Sequence, residues 1–306
     1  MTRNHIVFGI LLIALLAAPF VVYPVLVMKV LCFALFACAF NLLLGFTGLL
    51  SFGHAAFLGS AAYATGYALT KWAITPELGL LFGVLVSAAL GAVFGAIAIR
   101  RQGIYFAMVT LALAQMVYFF CLQAPFTGGE DGLQGVPRGK LFGLIDLRND
   151  LVVYYVVAAI FVAGFWFVMR VIHSPFGQVL KAIRENEPRA ISLGYDVDRY
   201  KLIAFVLSAG LAGLAGATKT LVLGFATLTD VHWSISGEVV LMTLVVGVGT
   251  LLGPIVGAIV IIVLQNELAD KVGSWVTVIL GAIFVVNVLL FRRGIVGEIA
   301  ARFGKN

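Results

Sequence analysis

Apolar residues in this chain come in long uninterrupted runs, separated by short polar breaks. Most runs are close in length to the about 20 residues that an α-helix needs to cross a bilayer. Continuous runs predict helices rather than a barrel, because lipid requires each segment to satisfy its own backbone hydrogen bonds. The predicted segments are 6–23, 25–46, 50–70, 78–99, 103–123, 151–170, 201–223, 237–251, 253–268 and 275–291.

The eighth and ninth segments form one long stretch, 237–268, broken at Gly253-Pro254. A proline inside such a stretch can kink a helix or end it. The pattern therefore leaves open whether this stretch crosses the membrane once or twice.

Composition and charge agree with a membrane chain. The chain is 62% hydrophobic and 11% charged, whereas soluble domains have roughly 25% charged residues. With the N-terminus in the cytoplasm, ten crossings place 13 basic residues inside and 5 outside, as the positive-inside rule requires. We therefore expect one all-α integral membrane domain, 1–306, with about ten transmembrane helices and both termini in the cytoplasm. The five basic residues outside are Lys71, Arg138, Lys140, Arg148 and Lys271.

Several kinds of chemistry lack a signature in the sequence. There is no G-x-x-x-x-G-K-[ST] loop for ATP, and the three cysteines lie in apolar runs without metal-ligand spacing. Lys29, Lys219 and Glu238 lie toward segment ends, where long side chains can reach the interface. Carriers driven by protons or ions usually need buried ionisable groups, and no acidic residue lies near the middle of an apolar run in this sequence. We therefore expect no catalysis, no metal and no cofactor in this chain, and no nucleic-acid partner. Any uphill transport would take its energy from another subunit.

The loop 171–200, on the predicted cytoplasmic side, is longer than an ordinary helix connection. Ser174-Pro175 signals a helix start, and Pro188 and Gly194 suit the first turn and the stop of a second helix. Asp198 is the predicted cap of the next spanning helix. The pattern indicates a short amphipathic helix pair, which serves either to dock a partner or only to connect. The residues assigned to docking are Val179, Ile183, Arg184, Glu185, Glu187, Ala190 and Gly194.

A second polar stretch, 41–57, interrupts an apolar run. A broken helix at membrane depth usually lines a cavity, where half-helix ends can meet a charged solute. The alternative is close packing through small residues, with His54 bonded to a carbonyl. The candidate pathway residues are Asn41, Thr47, Ser51, Gly53, His54 and Phe57.

Two further features remain open. Gly249, Gly253 and Gly257 are spaced for a close helix crossing, as are Ala209, Gly213 and Ala217; both sets favour packing, and either could lie where two subunits meet. The predicted outer loop, 124–150, carries an acidic turn at 127–133 that suits a gate, a binding-protein platform or an ordinary solvated turn.

Four stretches, 41–57, 103–115, 174–194 and 247–258, together resemble the permease subunits of bacterial ABC importers for branched-chain amino acids. The closer resemblance is to the second, LivM-type permease of such a pair. The resemblance covers nearly the whole chain and implies the ABC-importer permease fold. It also implies that the loop 171–200 is a coupling helix seated in a groove of an ATPase subunit.

The same resemblance implies the partners and the location. They are a second homologous permease, two ATPases that use ATP, a periplasmic binding protein and the bacterial inner membrane. Relatives of this kind carry urea, short amides or other amino acids, so the substrate stays open, as does the choice of ATPase that docks here. A carrier or channel acting alone is the alternative of another class. The missing buried acid speaks against the carrier, and the long helical loop against the channel.

Overall fold

The computed structural model describes residues 15–20, 22–143, 145–276, 278–279, 281–283 and 285. The predicted first and tenth segments, 6–23 and 275–291, lie largely outside them. In the described part, a two-stranded antiparallel hairpin, β1 (Lys140–Leu141) with β2 (Ile145–Asp146), accompanies a set of helices. The helices are α1 (Pro24–Thr47), α2 (His54–Lys71), α3 (Pro76–Ala98), α4 (Ile104–Gln123), α5 (Asp150–His173), α6 (Pro175–Glu185), α7 (Glu187–Ser192), α8 (Val197–Leu223), α9 (Trp233–Val246) and α10 (Gly253–Val272).

Five described helices, α1, α3, α4, α5 and α8, are long and apolar enough to cross a membrane. α9 and the apolar part of α10, Gly253–Ala269, are shorter. α2 is outside this group because its 18 residues include many small and polar ones, yet most of them are buried. The helical prediction is therefore confirmed for these segments.

The stretch 237–268 forms two helices. α9 ends at Val246, and Gly247 and Gly249 then take positive φ values of 135° and 81° in a turn. Pro254 occupies the first turn of α10, where its missing N–H costs no helical hydrogen bond. The proline therefore begins a second helix that packs back against α9.

α8 lies at the centre of the bundle and packs against α1, α2 and α3. The Ser208 hydroxyl donates to the carbonyl oxygen of Ala39 in α1 over 2.6 Å and bonds His54 in α2. Further along α8, Thr220 donates to the carbonyl oxygen of Ala62. Residue numbers in α2 and α8 thus rise together, so these two helices run in the same direction.

The two ends of α8 define two sides of the bundle. Its 27 residues span about 40 Å at the α-helical rise of about 1.5 Å per residue. α6 and α7 precede its first residue, which defines the hairpin side. Beyond its last residue, Leu133 and Ala226 exchange two backbone hydrogen bonds of 2.9 Å, joining the loop 124–149 to the turn 224–232 on the loop side.

Small residues let α8 approach its neighbours closely. A Cβ on Gly216 would collide with the carbonyl of Leu58 in α2. Gly91 in α3 faces the methyl group of Ala209, and a Cβ on Gly83 would lie 3.2 Å from the Cβ of Ala217. Backbones that approach in this way gain dispersion contacts, which must replace the hydrophobic effect inside lipid. Gly213 also faces α3, at Ser87, so the triplet Ala209, Gly213 and Ala217 packs within this chain.

We predict that Gly216→Val disrupts the bundle, because the new side chain would press on the backbone of Leu58. Overpacking typically costs about 1–3 kcal/mol in stability. A clash with backbone atoms relaxes less readily than a clash with a flexible side chain. Gly237→Val is the matched control, because a Cβ at Gly237 in α9 meets nothing within 4 Å. Size-exclusion chromatography and thermal unfolding in detergent should show a lower midpoint for Gly216→Val alone. Equal midpoints would contradict this packing.

Candidate functional site

The polar interruption at 41–57 is a break between helices. α1 ends at Thr47, Gly48 follows with φ +77°, and α2 begins at His54. The residues between the two helices are not helical. The predicted interruption is therefore confirmed as a change of chain direction on the hairpin side of the bundle.

Side chains of the protein satisfy the backbone groups of this break. Phe52 N–H donates to the hydroxyl of Thr110 in α4 over 3.2 Å, and Ala55 N–H donates to the hydroxyl of Ser236 in α9 over 2.9 Å. Gly53 N–H donates to the neighbouring Ser51 hydroxyl over 3.2 Å. The first N–H groups of any helix need such partners, and here two other helices supply them.

His54 lies fully buried in an aromatic surround. Its ring meets the rings of Phe40 and Phe57 edge-on, with centroids 5.0 Å and 5.5 Å away. Nε2 bonds the Ser208 hydroxyl at 2.8 Å, and Ser208 in turn donates to the carbonyl oxygen of Ala39. Nδ1 has no partner among the described residues. The expected hydrogen bond from His54 to a carbonyl oxygen is thus indirect, because the Ser208 hydroxyl lies between the two groups.

Asn41 joins α1 to the turn between α9 and α10. Its amide donates to the carbonyl oxygen of Thr250 over 2.9 Å and accepts from Gly249 N–H over 3.0 Å. The hydroxyl of Thr47 donates to the Leu43 carbonyl within its own helix. These residues, too, make packing contacts.

All six candidate pathway residues are therefore enclosed in this chain. A cleft of about 710 Å³ does open between α2, α3 and α4, but its walls are mainly aromatic and aliphatic, and none of the six lines it. The geometry favours the packing alternative, and solute contact at these residues stays a prediction.

The loop 171–200 folds as the helix pair α6–α7, called here the coupling hairpin. Ser174 caps α6 by accepting from Gly177 N–H, and Asn186 caps α7 by accepting from Arg189 N–H. Gly194 follows α7 with φ +88°. These starts and stops match the sequence prediction. The cap of α8, however, is Asp196, which accepts from Arg199 N–H over 3.3 Å, so the assignment of Asp198 was wrong.

The apolar face of α6 points into the chain, contrary to the expectation that it faces a partner. Ile183 is only 2% exposed, and it packs with Ala190 and Val197. Val179 is partly buried against the same cluster. A helix of 11 residues is too short to be stable alone, so its apolar side is needed to hold the hairpin onto α8.

A different apolar patch is exposed on the surface of the hairpin. Ile191 is 58% exposed, Leu193 is 68% exposed and Tyr195 is 40% exposed. We call these three residues the docking patch. Amphipathic spacing in α6 could not reveal it, because the patch lies on α7 and in the turn after it.

Charged groups fasten the coupling hairpin to the membrane helices. Lys201, almost fully buried in α8, donates to the Glu187 carboxylate over 2.7 Å, and Gln102 donates to the same oxygen over 3.1 Å. Arg184 donates to the carbonyl oxygen of Gly45 in the last turns of α1. Its guanidinium also lies beside Gly249, where a Cβ would be 3.0 Å away. Glu187 and Arg184 thus brace the hairpin against other parts of the chain, although Arg184, like Glu185, is exposed.

The loop side contains a buried ion pair that the sequence interpretation missed. Lys219 is 7% exposed and pairs with Asp230, which is 3% exposed. The second carboxylate oxygen accepts from Thr227 N–H over 3.2 Å. The expectation that Lys219 extends to the interface was therefore wrong, because Asp230 lies within reach in the following turn. The expectation that the chain lacks a buried acid was wrong as well, because Asp230 is buried.

The remaining candidate residues lie in two places. Gly257 approaches the carbonyl of Met242 in α9, as expected for a close helix crossing, whereas Gly249 lies in the turn before α10 and Gly253, the first residue of α10, lies against Thr250. In the loop 124–149, Thr127 is buried and donates to the carbonyl oxygen of Cys121 over 2.6 Å, whereas Glu130 and Asp131 are exposed.

Apolar spanning helices with a braced helical hairpin on one side define a multi-pass membrane protein. A family described as branched-chain amino acid transport system / permease component matches residues 24–288. The chain belongs to this family.

Two similar proteins are the high-affinity branched-chain amino acid transport system permease proteins LivM of Salmonella typhimurium and Escherichia coli K12. Each is 29% identical over 283 residues, which is 83% of this chain and 65% of the relative. The chain thus spans just under two thirds of the length of these relatives. The ribose import permease protein RbsC of E. coli K12 is 26% identical over 245 residues, 76% of this chain and 75% of the relative. No solved structure matches the chain.

We predict that Gly53→Leu lowers the folded yield of the subunit. A Cβ at this position would lie 2.9 Å from the carbonyl oxygen of Thr110, so α2 and α4 would have to separate. Gly237→Leu, in open space, is the control. The measurement is the monodisperse fraction after purification. A normal yield combined with lost transport would instead show that the break contacts solute.

Proposed function

We propose that this chain is the membrane-spanning permease subunit of an ATP-driven importer for branched-chain amino acids. It supplies half of the translocation pathway and one docking site for an ATPase, and it catalyses no reaction itself. The observation that carries the proposal is the family match over 24–288, on a chain in which the coupling hairpin is braced to the membrane helices. The proposed partners are a second homologous permease, two ATPases and a periplasmic binding protein in a bacterial inner membrane.

The docking patch is the surface that the ATPase would contact. Ile191 and Leu193 are exposed, while the polar faces around them are solvated. An amphipathic helix that lays apolar residues into a groove is a recurring recognition mode. The hairpin side would then be cytoplasmic, as would both termini.

The same hairpin offers a path for movement from the ATPase to the membrane helices. Arg184 bonds the end of α1, and Asn41 in α1 holds the turn between α9 and α10. Lys181 lies 5.8 Å from the ring centroid of Phe46, within cation–π range. Displacement of α6 would therefore shift α1 together with the α9–α10 turn. This network supports coupling in addition to docking.

The substrate class rests on the two LivM relatives, and the ribose permease relative shows that related chains serve other solutes. Importers of urea, of short amides or of other amino acids are therefore the second candidates. Competition separates them: isoleucine and valine should inhibit leucine uptake, whereas urea and acetamide should not.

The complete importer, reconstituted in proteoliposomes with binding protein outside and ATP inside, should accumulate labelled leucine. Because no ATP-binding loop is present in the sequence, the permease alone should neither hydrolyse ATP nor transport. Collapse of the proton gradient with an uncoupler is the control and should leave uptake intact. Uptake by this chain alone, driven by a proton gradient, would contradict the proposal.

Ile191→Asp should detach the ATPase while leaving the permease folded. Burying one Ile-sized side chain contributes roughly 1.5–3 kcal/mol, so ATPase affinity should fall by about tenfold or more. Ile183→Asp is the matched comparison: an acid in the buried cluster with Ala190 and Val197 should lower the folded yield of the permease itself. Co-purification of the ATPase with each variant measures the difference. Normal attachment of the ATPase to the Ile191→Asp permease would show that the docking site lies elsewhere.

A further inference from the structure

The cleft between α2, α3 and α4 extends from the loop side of the bundle. Its volume of about 710 Å³ is within the range of about 300–1,000 Å³ that is usual for ligand pockets. Phe82 and Val93, which both line it from α3, lie about three helical turns, or about 16 Å, apart. Phe126 and Leu133 of the loop 124–149 line its end on the loop side. The cleft is therefore elongated and follows α3 from the loop side into the membrane-spanning part of the bundle.

The lining of the cleft is mainly apolar. None of the described residues that line it is charged. Two of its hydroxyl groups are already bonded within the chain: Ser60 donates to the carbonyl oxygen of Phe57 over 3.2 Å. Thr127 donates to the carbonyl oxygen of Cys121 over 2.6 Å. A zwitterion placed there would lose its hydration without gaining a charged partner, which is costly. The cleft therefore suits a hydrocarbon chain and not a free amino acid.

The cleft opens on the outer surface of the bundle, between α3 and α4. Val93 on α3 is 56% exposed and Phe120 on α4 is 60% exposed, and both line the cleft. The two helices are long and apolar enough to cross a membrane, so the hydrocarbon of the bilayer lies beside this opening. Apolar cavities tend to stay dry. Lipid acyl chains are therefore the molecules that can fill the cleft.

α4 is buried along one stripe only. Its buried residues are Phe106, Ala107, Thr110, Ala114 and Cys121. These positions fall on one side of an α-helix, because residues three, four and seven apart lie close together around its axis. The rest of α4 is half-buried or exposed. An acyl chain in the cleft would therefore add contacts between α4 and α3.

Aromatic side chains gather at the loop end of the cleft. The centroid of the Trp72 ring lies 5.2 Å from that of Phe82 and 5.7 Å from that of Tyr67. The centroid of the Phe126 ring lies 5.9 Å from that of Tyr67. Trp and Tyr are enriched where lipid headgroups meet the hydrocarbon of a bilayer. Lys71, which is exposed, directly precedes Trp72 in the chain. This end of the cleft thus has the residues expected at headgroup level, including a cation for a phosphate.

We propose that the cleft between α2, α3 and α4 binds an acyl chain of a membrane phospholipid whose headgroup lies beside Trp72 and Lys71. The acyl chain enters between α3 and α4, follows α3 inward and fills the apolar space. It packs against both helices and so supports α4. This site goes beyond the proposed function and does not depend on which solute the chain transports.

The test uses Ala89→Phe, which places a large side chain in the cleft from α3. Ala89 lines the cleft and is exposed, so the substitution leaves the packed core in place. Ala92→Phe is the matched control, because Ala92 is exposed on the same helix and does not line the cleft. Native mass spectrometry of the purified full chain should show one tightly held phospholipid on the wild type and on Ala92→Phe, and none on Ala89→Phe. Ala64→Phe, which fills the cleft from α2, replaces Ala89→Phe if that variant does not fold.

Thermal unfolding of the delipidated chain is the second measurement. Added phospholipid should raise the unfolding midpoint of the wild type and of Ala92→Phe, because a ligand that binds the folded state stabilises it. It should leave the midpoint of Ala89→Phe unchanged, and an equal amount of added detergent should raise none of them.

Three results would overturn the lipid site. The first is a wild type that retains no lipid, or a midpoint that phospholipid raises equally in all three proteins. The second is loss of the retained lipid when the second permease binds, which would show that a subunit covers the cleft. The third is a midpoint that rises with leucine and not with phospholipid, which would assign the cleft to the solute.

Discussion

The close approach of α8 to its neighbours is the constraint on which the rest of the bundle depends. Gly216 rests against the backbone of Leu58, and Gly91 and Gly83 bring α3 to the same helix. Lipid offers no hydrophobic driving force between helices, so the contact must come from packing and hydrogen bonds. With α8 held in this way, its first residue fixes the coupling hairpin on one side and its last residues fix the ion pair and loops on the other. The coupling hairpin and the loop side are thus placed by one helix and the small residues that surround it.

Polar groups inside the bundle fall into two kinds. At the break between α1 and α2, the hydroxyls of Thr110 and Ser236 accept from backbone N–H groups, and His54 bonds the Ser208 hydroxyl. These hydrogen bonds favour one arrangement of helices, because a shift would leave the buried groups that they join unpaired. Lys219 and Asp230 are of the other kind, opposite charges that form a buried ion pair on the loop side. Both kinds fix how the helices and the turns between them pack.

Much of this architecture could be predicted from local patterns. Helix positions follow from apolar runs, and the hairpin boundaries follow from Ser174-Pro175, Pro188 and Gly194, because caps and prolines act over a few residues. The partners of each side chain depend on contacts between distant parts of the chain, which spacing does not contain. Val179 and Ile183 looked like a free apolar face, but the face is covered by Val197 from the next helix. Lys219 looked like an interfacial residue, but it pairs with Asp230 in the following turn.

The central claim is that the coupling hairpin is joined directly to the end of α1, so that motion of one moves the other. A Cβ on Gly48 would lie 3.9 Å from Cβ of Arg184, a separation typical of disulfides, which have a mean near about 3.8 Å. The most direct measurement is therefore oxidative cross-linking of Gly48→Cys with Arg184→Cys in a variant whose three native cysteines are replaced. The account predicts rapid, nearly complete cross-linking, and little for Gly48→Cys with Gln178→Cys. Failure of the first pair to cross-link in folded protein would show that the hairpin and α1 are not in contact.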